Sequence, residues 1–323
     1  MSASSGSSSS ITPPPGARDG QLLQGKSLLV RLANFVKLPH TVFALPFAMV
    51  GVLFASAVAP VTGRMIGWVL LAFTSARFAA MGFNRIVDRD VDALNPRTAM
   101  RELPSGTLTL GQARGSVVIA SLLFVWAAWA LNPLCAALSP IALLWVLGYS
   151  YTKRFTRWSH LWLGLGLGIA PVGGYLAVTG VWSAPVWLLL VLALAVMAWS
   201  GGFDILYALQ DAEFDRRHGL HSIPSTIGVP AAIRLSRFLH VIAVLSLGAV
   251  VSTAPLGTAV ATVQPLLWAG VAGVAAMLVW EHRLVRATDL TRLDAAFFTM
   301  NGVISIGFFT VVLMARVLAG GAA

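Results

Sequence analysis

Two stretches of the sequence carry aspartates at a spacing that suits metal chemistry. The first, NRIVDRDVD, has three polar side chains four residues apart: Asn84, Asp88 and Asp92. The second, YALQDAEFD, repeats that spacing with Tyr207, Asp211 and Asp215. On a helix, residues four apart share one face, and two carboxylates there repel each other. The spacing therefore predicts that a cation lies between the carboxylates of each stretch.

Paired aspartates of this type suit Mg²⁺, which takes oxygen ligands and usually keeps several waters and substrate phosphates. We expect four catalytic carboxylates, which with Asn84 are also the candidate metal ligands: Asp88, Asp92, Asp211 and Asp215. Nearby polar and basic side chains would bind a diphosphate: Asn84, Arg89, Arg97, Arg101, Lys153, Arg154 and Tyr207. If the diphosphate leaves an allylic carbon, apolar helix walls would keep water from the carbocation. The competing interpretation, solvated charges at helix ends, is weaker for two matching stretches that are each followed by a Pro-Ser pair.

The composition shows what kind of element must position these residues. The chain is 57% hydrophobic and only 11% charged, whereas soluble domains carry about 25% charged residues. Nine apolar segments are predicted as membrane-spanning helices, near 40–58, 65–88, 111–131, 134–151, 161–180, 184–209, 236–254, 264–281 and 295–318. Most are long enough to cross a hydrocarbon core of about 30 Å. We therefore predict an all-α membrane domain over 26–323, preceded by a disordered Ser- and Pro-rich tail over 1–25.

The basic residues predict the orientation of these helices. Nineteen of the 22 Lys and Arg residues fall before the first segment or in or beside the loops that follow even-numbered segments. The positive-inside rule then places the N-terminus and those loops in the cytoplasm and the C-terminus outside. The net charge of +10 thus reflects topology, and we expect no nucleic-acid partner. We expect a multi-pass protein of the cell's inner (cytoplasmic) membrane, with its oligomeric state left open.

The two aspartate stretches also carry a family resemblance. NRIVDRDVDALNPRTAMRELPSG and DILYALQDAEFDRRHGLHSIPSTIG resemble the two signatures of the UbiA-type intramembrane prenyltransferases. SYTKRFTRWSH resembles the family's third cytoplasmic element, with Lys153 in the place of its diphosphate-binding lysine. The resemblance covers the chain from about Lys37 to its end. It implies nine helices around a central cavity with cytoplasmic cap loops and a lateral opening to lipid, and transfer of a polyprenyl group from its diphosphate.

The segment KLPHTVFALPFAMVG and the first signature are most similar to the 4-hydroxybenzoate polyprenyltransferase-like branch. That resemblance implies an aromatic quinone-precursor acceptor, either 4-hydroxybenzoate or the dihydroxynaphthoate of futalosine-route menaquinone synthesis. Arg85 departs from the pattern, since many relatives carry an acidic residue after the asparagine. Other acceptors stay open (haem, chlorophyllide or a sugar phosphate), as does a terpene cyclase. A transporter with a cytoplasmic divalent-metal site is the alternative from another class.

Three further residues are candidates for the acceptor site: Arg77, His40 and Asp204. Arg77 lies seven residues before Asn84, on the same helix face and roughly 10 Å deeper. An ionisable residue inside a membrane helix is by default a functional hypothesis. Arg77 is expected either to pair with Asp204, which lies seven residues before Asp211, or to hold an acceptor carboxylate.

Overall fold

The computed structural model describes residues 23, 25, 27–37, 41, 44–183, 185–254, 256, 260–285 and 300–320. His40 and most of the predicted tail lie outside the described residues. The division into a tail and a membrane domain therefore stays a prediction. The described residues are helical, as expected for the all-α class, and contain no strand.

Twelve α-helices are described: α1 Leu28–Phe35, α2 Leu45–Ala55, α3 Gly63–Leu94, α4 Leu110–Leu131, α5 Pro133–Thr152, α6 Ser159–Thr179, α7 Val186–Tyr207, α8 Ala212–Arg217, α9 Ile223–Ile227, α10 Val229–Ser252, α11 Val260–Leu284 and α12 Asn301–Gly320. A 3₁₀ turn over Ala208–Asp211 joins α7 to α8. The long helices match eight of the predicted apolar segments, with ends that differ by up to seven residues.

Eight of the described helices are long and apolar enough to cross a membrane. The first predicted segment, 40–58, instead contains α2, an apolar helix of 11 residues. At 1.5 Å per residue it spans about 16 Å, well short of the hydrocarbon core. Residues 38–40, 42 and 43, which precede it, lie outside the described part of the chain. The predicted ninth crossing is therefore not confirmed.

Side-chain caps set the starts of helices around the site. The α4 helix begins with a capping box, in which the Thr109 hydroxyl accepts from the Gln112 N–H and the Gln112 side chain accepts from the Thr109 N–H. Asn132 caps α5 by accepting from the Cys135 N–H at 2.9 Å. Each cap satisfies N–H groups that the first helical turn leaves without partners. The caps therefore define where the chain leaves a loop and enters the bundle.

Close contact between α6 and α7 depends on small residues. A Cβ atom on Gly164 would lie 2.5 Å from the Met197 carbonyl oxygen, and one on Gly168 would lie 2.6 Å from the Ala193 carbonyl oxygen. Real Cβ atoms do not approach that closely, so a larger side chain would push the helices apart. His160 precedes Gly164 by four residues and therefore lies on the same face of α6. The glycine face brings His160 against α7.

Hydrogen bonds tie together the loops at one end of the bundle. The His221 N–H donates to the Lys153 carbonyl oxygen at 2.7 Å. The Arg154 guanidinium donates to the Val87 carbonyl oxygen at 3.1 Å and to the Ser150 carbonyl oxygen at 2.7 Å. The loop after α5 thus contacts both the end of α3 and the segment after α8. The three stretches singled out in the sequence meet at this end.

Candidate active site

A cavity of about 500 Å³ lies inside the bundle. Most of its wall is apolar, with side chains from α3 to α7. Asn84, Arg101 and Tyr207 line it from the end where the aspartate stretches meet, and Arg77 and Asp204 also belong to the wall. An apolar chamber with polar groups at one end suits a molecule with an apolar body and a charged head.

All four predicted catalytic carboxylates form ion pairs with cations at the end of this cavity. The pairs are Asp88 with Arg154 at 3.0 Å, Asp92 with Arg101 at 2.8 Å, Asp211 with Arg97, and Asp215 with Lys153 at 3.5 Å. Four of the predicted diphosphate-binding cations are therefore brought to the carboxylates. Four negative charges meet four positive charges, so the site is close to neutral without a ligand.

The two aspartate stretches are joined by residues that follow the first of them. Asn95 donates its side-chain N–H to Asp211 Oδ1 at 3.1 Å. Arg97 donates through Nε to the same oxygen at 3.0 Å and through Nη1 to the Tyr207 hydroxyl at 3.2 Å. The Arg97 guanidinium also lies 5.4 Å from the centre of the Tyr207 ring. This confirms that the fold brings the two stretches to one place.

Within the first stretch, the predicted helical face is present. The Asn84 side-chain N–H donates to Asp88 Oδ2 at 2.8 Å, one turn along α3. Asp92, one turn further, accepts from Arg101 with both carboxylate oxygens. The carboxylates of this stretch are thus engaged by Asn84 and by cations, where the spacing alone predicted a metal ion as their partner.

Among the described residues, no group of three or more acidic, histidine or cysteine side chains is placed to hold one metal ion. The predicted ligand sets are thus not gathered around a single point. The physical reason is that each carboxylate has its own cation. The donor chemistry nevertheless fits Mg²⁺, because the carboxylates of both stretches and the Asn84 amide oxygen lie at the same end of the cavity. Binding of Mg²⁺ with a diphosphate would require an exchange of partners: the metal would go to the carboxylates and the cations to the phosphate oxygens.

Two of these cations, Lys153 and Arg97, lie outside the spanning segments and have shifted pKa values. Burial lowers the pKa of Lys153, but the surrounding carboxylates, Asp215 foremost, outweigh it and raise its pKa above the ordinary value. Burial likewise opposes the charge of Arg97, and Asp211 outweighs it, so the pKa of Arg97 is also raised. Both side chains therefore stay positively charged, as diphosphate binding requires.

One predicted diphosphate-binding residue does not reach the cluster. Arg89 donates to Asp90 at 3.1 Å, and 84% of the Asp90 side chain is exposed. Arg89 lines a surface groove beside α3 and α4 instead. It follows Asp88 directly, so it lies about 100° around the helix from the carboxylate face. Arg89 is adjacent to Asp88 in the sequence, but its position on the helix directs its side chain away from the carboxylates.

The predicted pairing of Arg77 with Asp204 is wrong. Arg77 donates through Nε to the Thr41 hydroxyl at 3.1 Å, while Asp204 Oδ2 lies 2.7 Å from His160 Nδ1. Both side chains still line the cavity, as an acceptor site would need. Sequence reasoning missed His160 and the asparagine that contacts Asp211, Asn95. Asn95 belongs to the first signature, whereas nothing local in the sequence indicates the partner of His160.

Comparisons with known proteins identify the family. A sequence model of the UbiA prenyltransferase family matches residues 44–303. A 4-hydroxybenzoate octaprenyltransferase of Aromatoleum aromaticum is 32% identical over 238 residues, which cover 73% of this chain and 77% of that protein. One from Vibrio parahaemolyticus is 29% identical and covers 84% of this chain and 88% of that protein.

Solved structures share the fold. The apo structure of a UbiA homologue from Aeropyrum pernix K1 is similar at a TM-score of 0.75 and 32% identity, covering 86% of this chain and 98% of that chain. A UbiA homologue from Archaeoglobus fulgidus bound to DMAPP and Mg²⁺ is similar at a TM-score of 0.69, covering 89% and 99% of the two chains. At 19% identity, the second likeness shows the fold alone.

Proposed function

Because this chain belongs to the UbiA prenyltransferase family, we propose that it transfers a polyprenyl group from polyprenyl diphosphate to 4-hydroxybenzoate. The observation that carries the proposal is the group of four carboxylate–cation pairs at one end of an apolar cavity. The relatives that act on 4-hydroxybenzoate support the acceptor. The product would be a membrane-bound quinone precursor.

We assign the donor head to the ion-pair cluster. The residues that would hold Mg²⁺ are Asn84, Asp88, Asp92, Asp211 and Asp215. When bound there, Mg²⁺ would supply the charge that neutralises a departing diphosphate. Four cations, once released from the carboxylates, would contact the phosphate oxygens: Arg97, Arg101, Lys153 and Arg154. The Archaeoglobus homologue of the same fold was solved with DMAPP and Mg²⁺, which makes a prenyl diphosphate with a divalent metal the ligands to test here.

The cavity wall would hold the reacting carbon and the acceptor. Its apolar lining excludes water from the allylic cation, which water would otherwise trap as an alcohol. Arg77 on the same wall would anchor the acceptor carboxylate, because a charge in a low-dielectric cavity needs a partner. Its planar guanidinium suits a carboxylate through two hydrogen bonds. The ring would then lie between Arg77 and the allylic end of the donor.

The test is an acceptor panel. Purified protein is incubated with geranyl diphosphate, Mg²⁺ and either 4-hydroxybenzoate or a dihydroxynaphthoate, and the products are identified by mass spectrometry. We expect prenylated 4-hydroxybenzoate from the wild type and none from Asp211→Asn. If only the dihydroxynaphthoate is prenylated, the protein acts in menaquinone synthesis instead. If neither acceptor reacts and no diphosphate is released, the enzyme assignment fails and the transporter alternative gains.

We also propose that the ion-pair cluster lies on the cytoplasmic side of the inner membrane and that the C-terminus lies outside. The asymmetry of Lys and Arg supports this orientation. In a Cys135→Ala background, single cysteines at the exposed positions Ser105 and Thr226 should label from the cytoplasmic side, and one at Val181 from the opposite side. Labelling of Ser105 and Thr226 from opposite sides would refute the orientation, since both aspartate stretches serve one diphosphate.

For the acceptor site, Arg77→Met should raise the KM for 4-hydroxybenzoate by about ten-fold or more, the loss expected when a charge-assisted hydrogen bond is removed. The KM for geranyl diphosphate should change little. An unchanged acceptor KM would remove the anchoring role from Arg77.

A further inference from the structure

One carboxylate on the cavity wall stands apart from the two aspartate clusters. Asp204 lies on α7, and 16% of its side chain is exposed. Among the described residues that line the cavity, Asp204 is the only carboxylate, and none is a histidine. For a proton released inside the cavity, Asp204 is therefore the one described carboxylate on the wall that could accept it.

A buried imidazole orients this carboxylate. His160 is 1% exposed, and its Nδ1 lies 2.7 Å from Asp204 Oδ2. The Ile223 N–H donates to His160 Nε2 at 3.4 Å. Because a backbone N–H can only donate, Nε2 presents its lone pair and the neutral ring carries its proton on Nδ1. His160 thus donates to Asp204 Oδ2.

The other oxygen of the carboxylate is directed into the cavity. Within the described residues Asp204 Oδ1 has no hydrogen-bond partner, and it is not among the buried polar atoms that lack one. It is therefore accessible from the cavity. One oxygen is held by His160 and the second is available to a bound molecule.

The backbone makes this pair rigid. Gly164 and Gly168 let α6 lie directly on α7, which sets the separation between the two side chains. The start of α9 supplies the N–H group that fixes the imidazole. The pair is therefore held from three helices, as a catalytic group needs to be if it must meet a substrate in one orientation.

The chemistry of the proposed function requires such a group. Prenylation of an aromatic ring breaks the allylic C–O bond to the diphosphate and forms a bond between the allylic carbon and a ring carbon. The ring then regains aromaticity when the C–H bond at that carbon breaks, its electron pair returns to the ring, and the proton leaves. The four clustered aspartates are each engaged by a cation, and in the proposed function Mg²⁺ would engage them while the donor is bound.

We propose that Asp204 Oδ1 accepts the proton that the ring loses, and that His160 is the positioning residue that presents this oxygen to the cavity. The proposal rests on the proposed function, because it needs an aromatic acceptor with a ring hydrogen at the carbon that is alkylated. It extends that function by assigning the last proton transfer to a pair outside the metal-binding stretches.

The test compares wild type and Asp204→Asn with 4-hydroxybenzoate deuterated at both carbons next to the hydroxyl-bearing carbon. In the wild type, loss of the proton is fast and the isotope effect on kcat should be close to 1. In Asp204→Asn, kcat should fall by about 100-fold, typical for removal of a general base. The isotope effect should rise above about 2, because proton loss becomes rate-limiting. Metal-dependent release of diphosphate from geranyl diphosphate alone should persist.

His160 is tested by two variants that separate positioning from packing. His160→Asn keeps an N–H near the position of Nδ1 and should retain most of the activity, whereas His160→Leu should lower kcat about ten-fold with little change in either KM. Melting temperatures control for folding. If Asp204→Asn does not fold, Asp204→Glu serves in its place and should show a raised isotope effect with reduced kcat.

Two results would overturn the proposal. The first is an isotope effect near 1 with near wild-type kcat in the Asp204 variant. The second is loss of diphosphate release in that variant, which would place the carboxylate at the donor. Failure of the proposed function is distinguished by the wild type, which would then form no prenylated 4-hydroxybenzoate at all.

Discussion

The two aspartate clusters share one sequence spacing but stand on different backbones. Asp88 and Asp92 lie on one continuous helix of 32 residues. In the second cluster, α7 ends at Tyr207, a 3₁₀ turn ends at Asp211, and Asp215 belongs to the short helix that follows. A 3₁₀ turn has three residues per turn rather than 3.6. The same spacing therefore gives a straight face in one cluster and a bent one in the other.

The clusters also differ in where their partners come from. In the first, the hydrogen bonds from Asn84 to Asp88 and from Arg101 to Asp92 span four and nine residues, and only Arg154 is distant. In the second, the side-chain partners of the two aspartates, Asn95, Arg97 and Lys153, lie 62 to 116 residues away in the chain. The Asp88 side chain is 26% exposed and that of Asp215 is 3% exposed. The first cluster is largely local, whereas the second exists only once the fold has formed.

The largest effect should come from the carboxylates themselves and should be equal in the two clusters. Asp92→Asn and Asp211→Asn should each lower turnover by more than about 100-fold, because each removes charge that the diphosphate–metal complex needs. Asp90→Asn is the matched control and should be unchanged, because Asp90 is two residues from both Asp88 and Asp92, on the opposite face of the helix, and its side chain is 84% exposed. Near wild-type turnover in either cluster variant would show that this cluster is not part of the site.

The two clusters should differ in the free energy of unfolding that is lost when a cation is removed. Arg97→Met leaves Asp211 buried without its main cation and should cost about 3 to 5 kcal/mol, as for other broken buried pairs. Arg154→Met leaves Asp88 partly in water and should cost about 1 kcal/mol or less. The melting temperature in detergent measures both. Equal losses would mean that the second cluster is no more dependent on tertiary contacts than the first.

The two asparagines should have different roles. Asn84→Ala should raise the Mg²⁺ concentration for half-maximal activity by about ten-fold, because it removes the proposed oxygen ligand and the hydrogen bond to Asp88. Asn95→Ala should lower the melting temperature and leave the Mg²⁺ requirement nearly unchanged, because its amide supports Asp211 through an N–H. If Asn84→Ala lowers only the melting temperature and Asn95→Ala raises the Mg²⁺ requirement, the roles of the two asparagines are reversed.

The smallest effect concerns pH. The pKa of Lys153 is raised in the folded protein, so its ion pair with Asp215 contributes fully below the unfolded pKa of about 10.4. That contribution is lost only as the pH rises through the folded value. Lys153→Arg should therefore have the same alkaline activity profile as the wild type up to about pH 10. A loss of activity between pH 8 and 9 that Lys153→Arg abolishes would contradict the raised pKa.

Local physics explains what the sequence by itself determined. In an α-helix, the 3.6-residue period puts Asn84, Asp88 and Asp92 on one face. The structure has that face on α3. The length and hydropathy of the apolar segments determined eight of the long helices, because a membrane crossing needs about 20 apolar residues. The family signatures indicated which loops carry the chemistry.

Only the tertiary structure decided which groups meet. Spacing indicated a cation between the aspartates but could not say that each carboxylate takes a separate Arg or Lys, because three of the four contacts join segments 62 or more residues apart. Equal offsets on two helices suggested Arg77 with Asp204, yet a glycine face on α6 brings His160 to Asp204 from 44 residues away. Such pairings depend on how closely helices pack, and packing is a property of side chains from several elements at once.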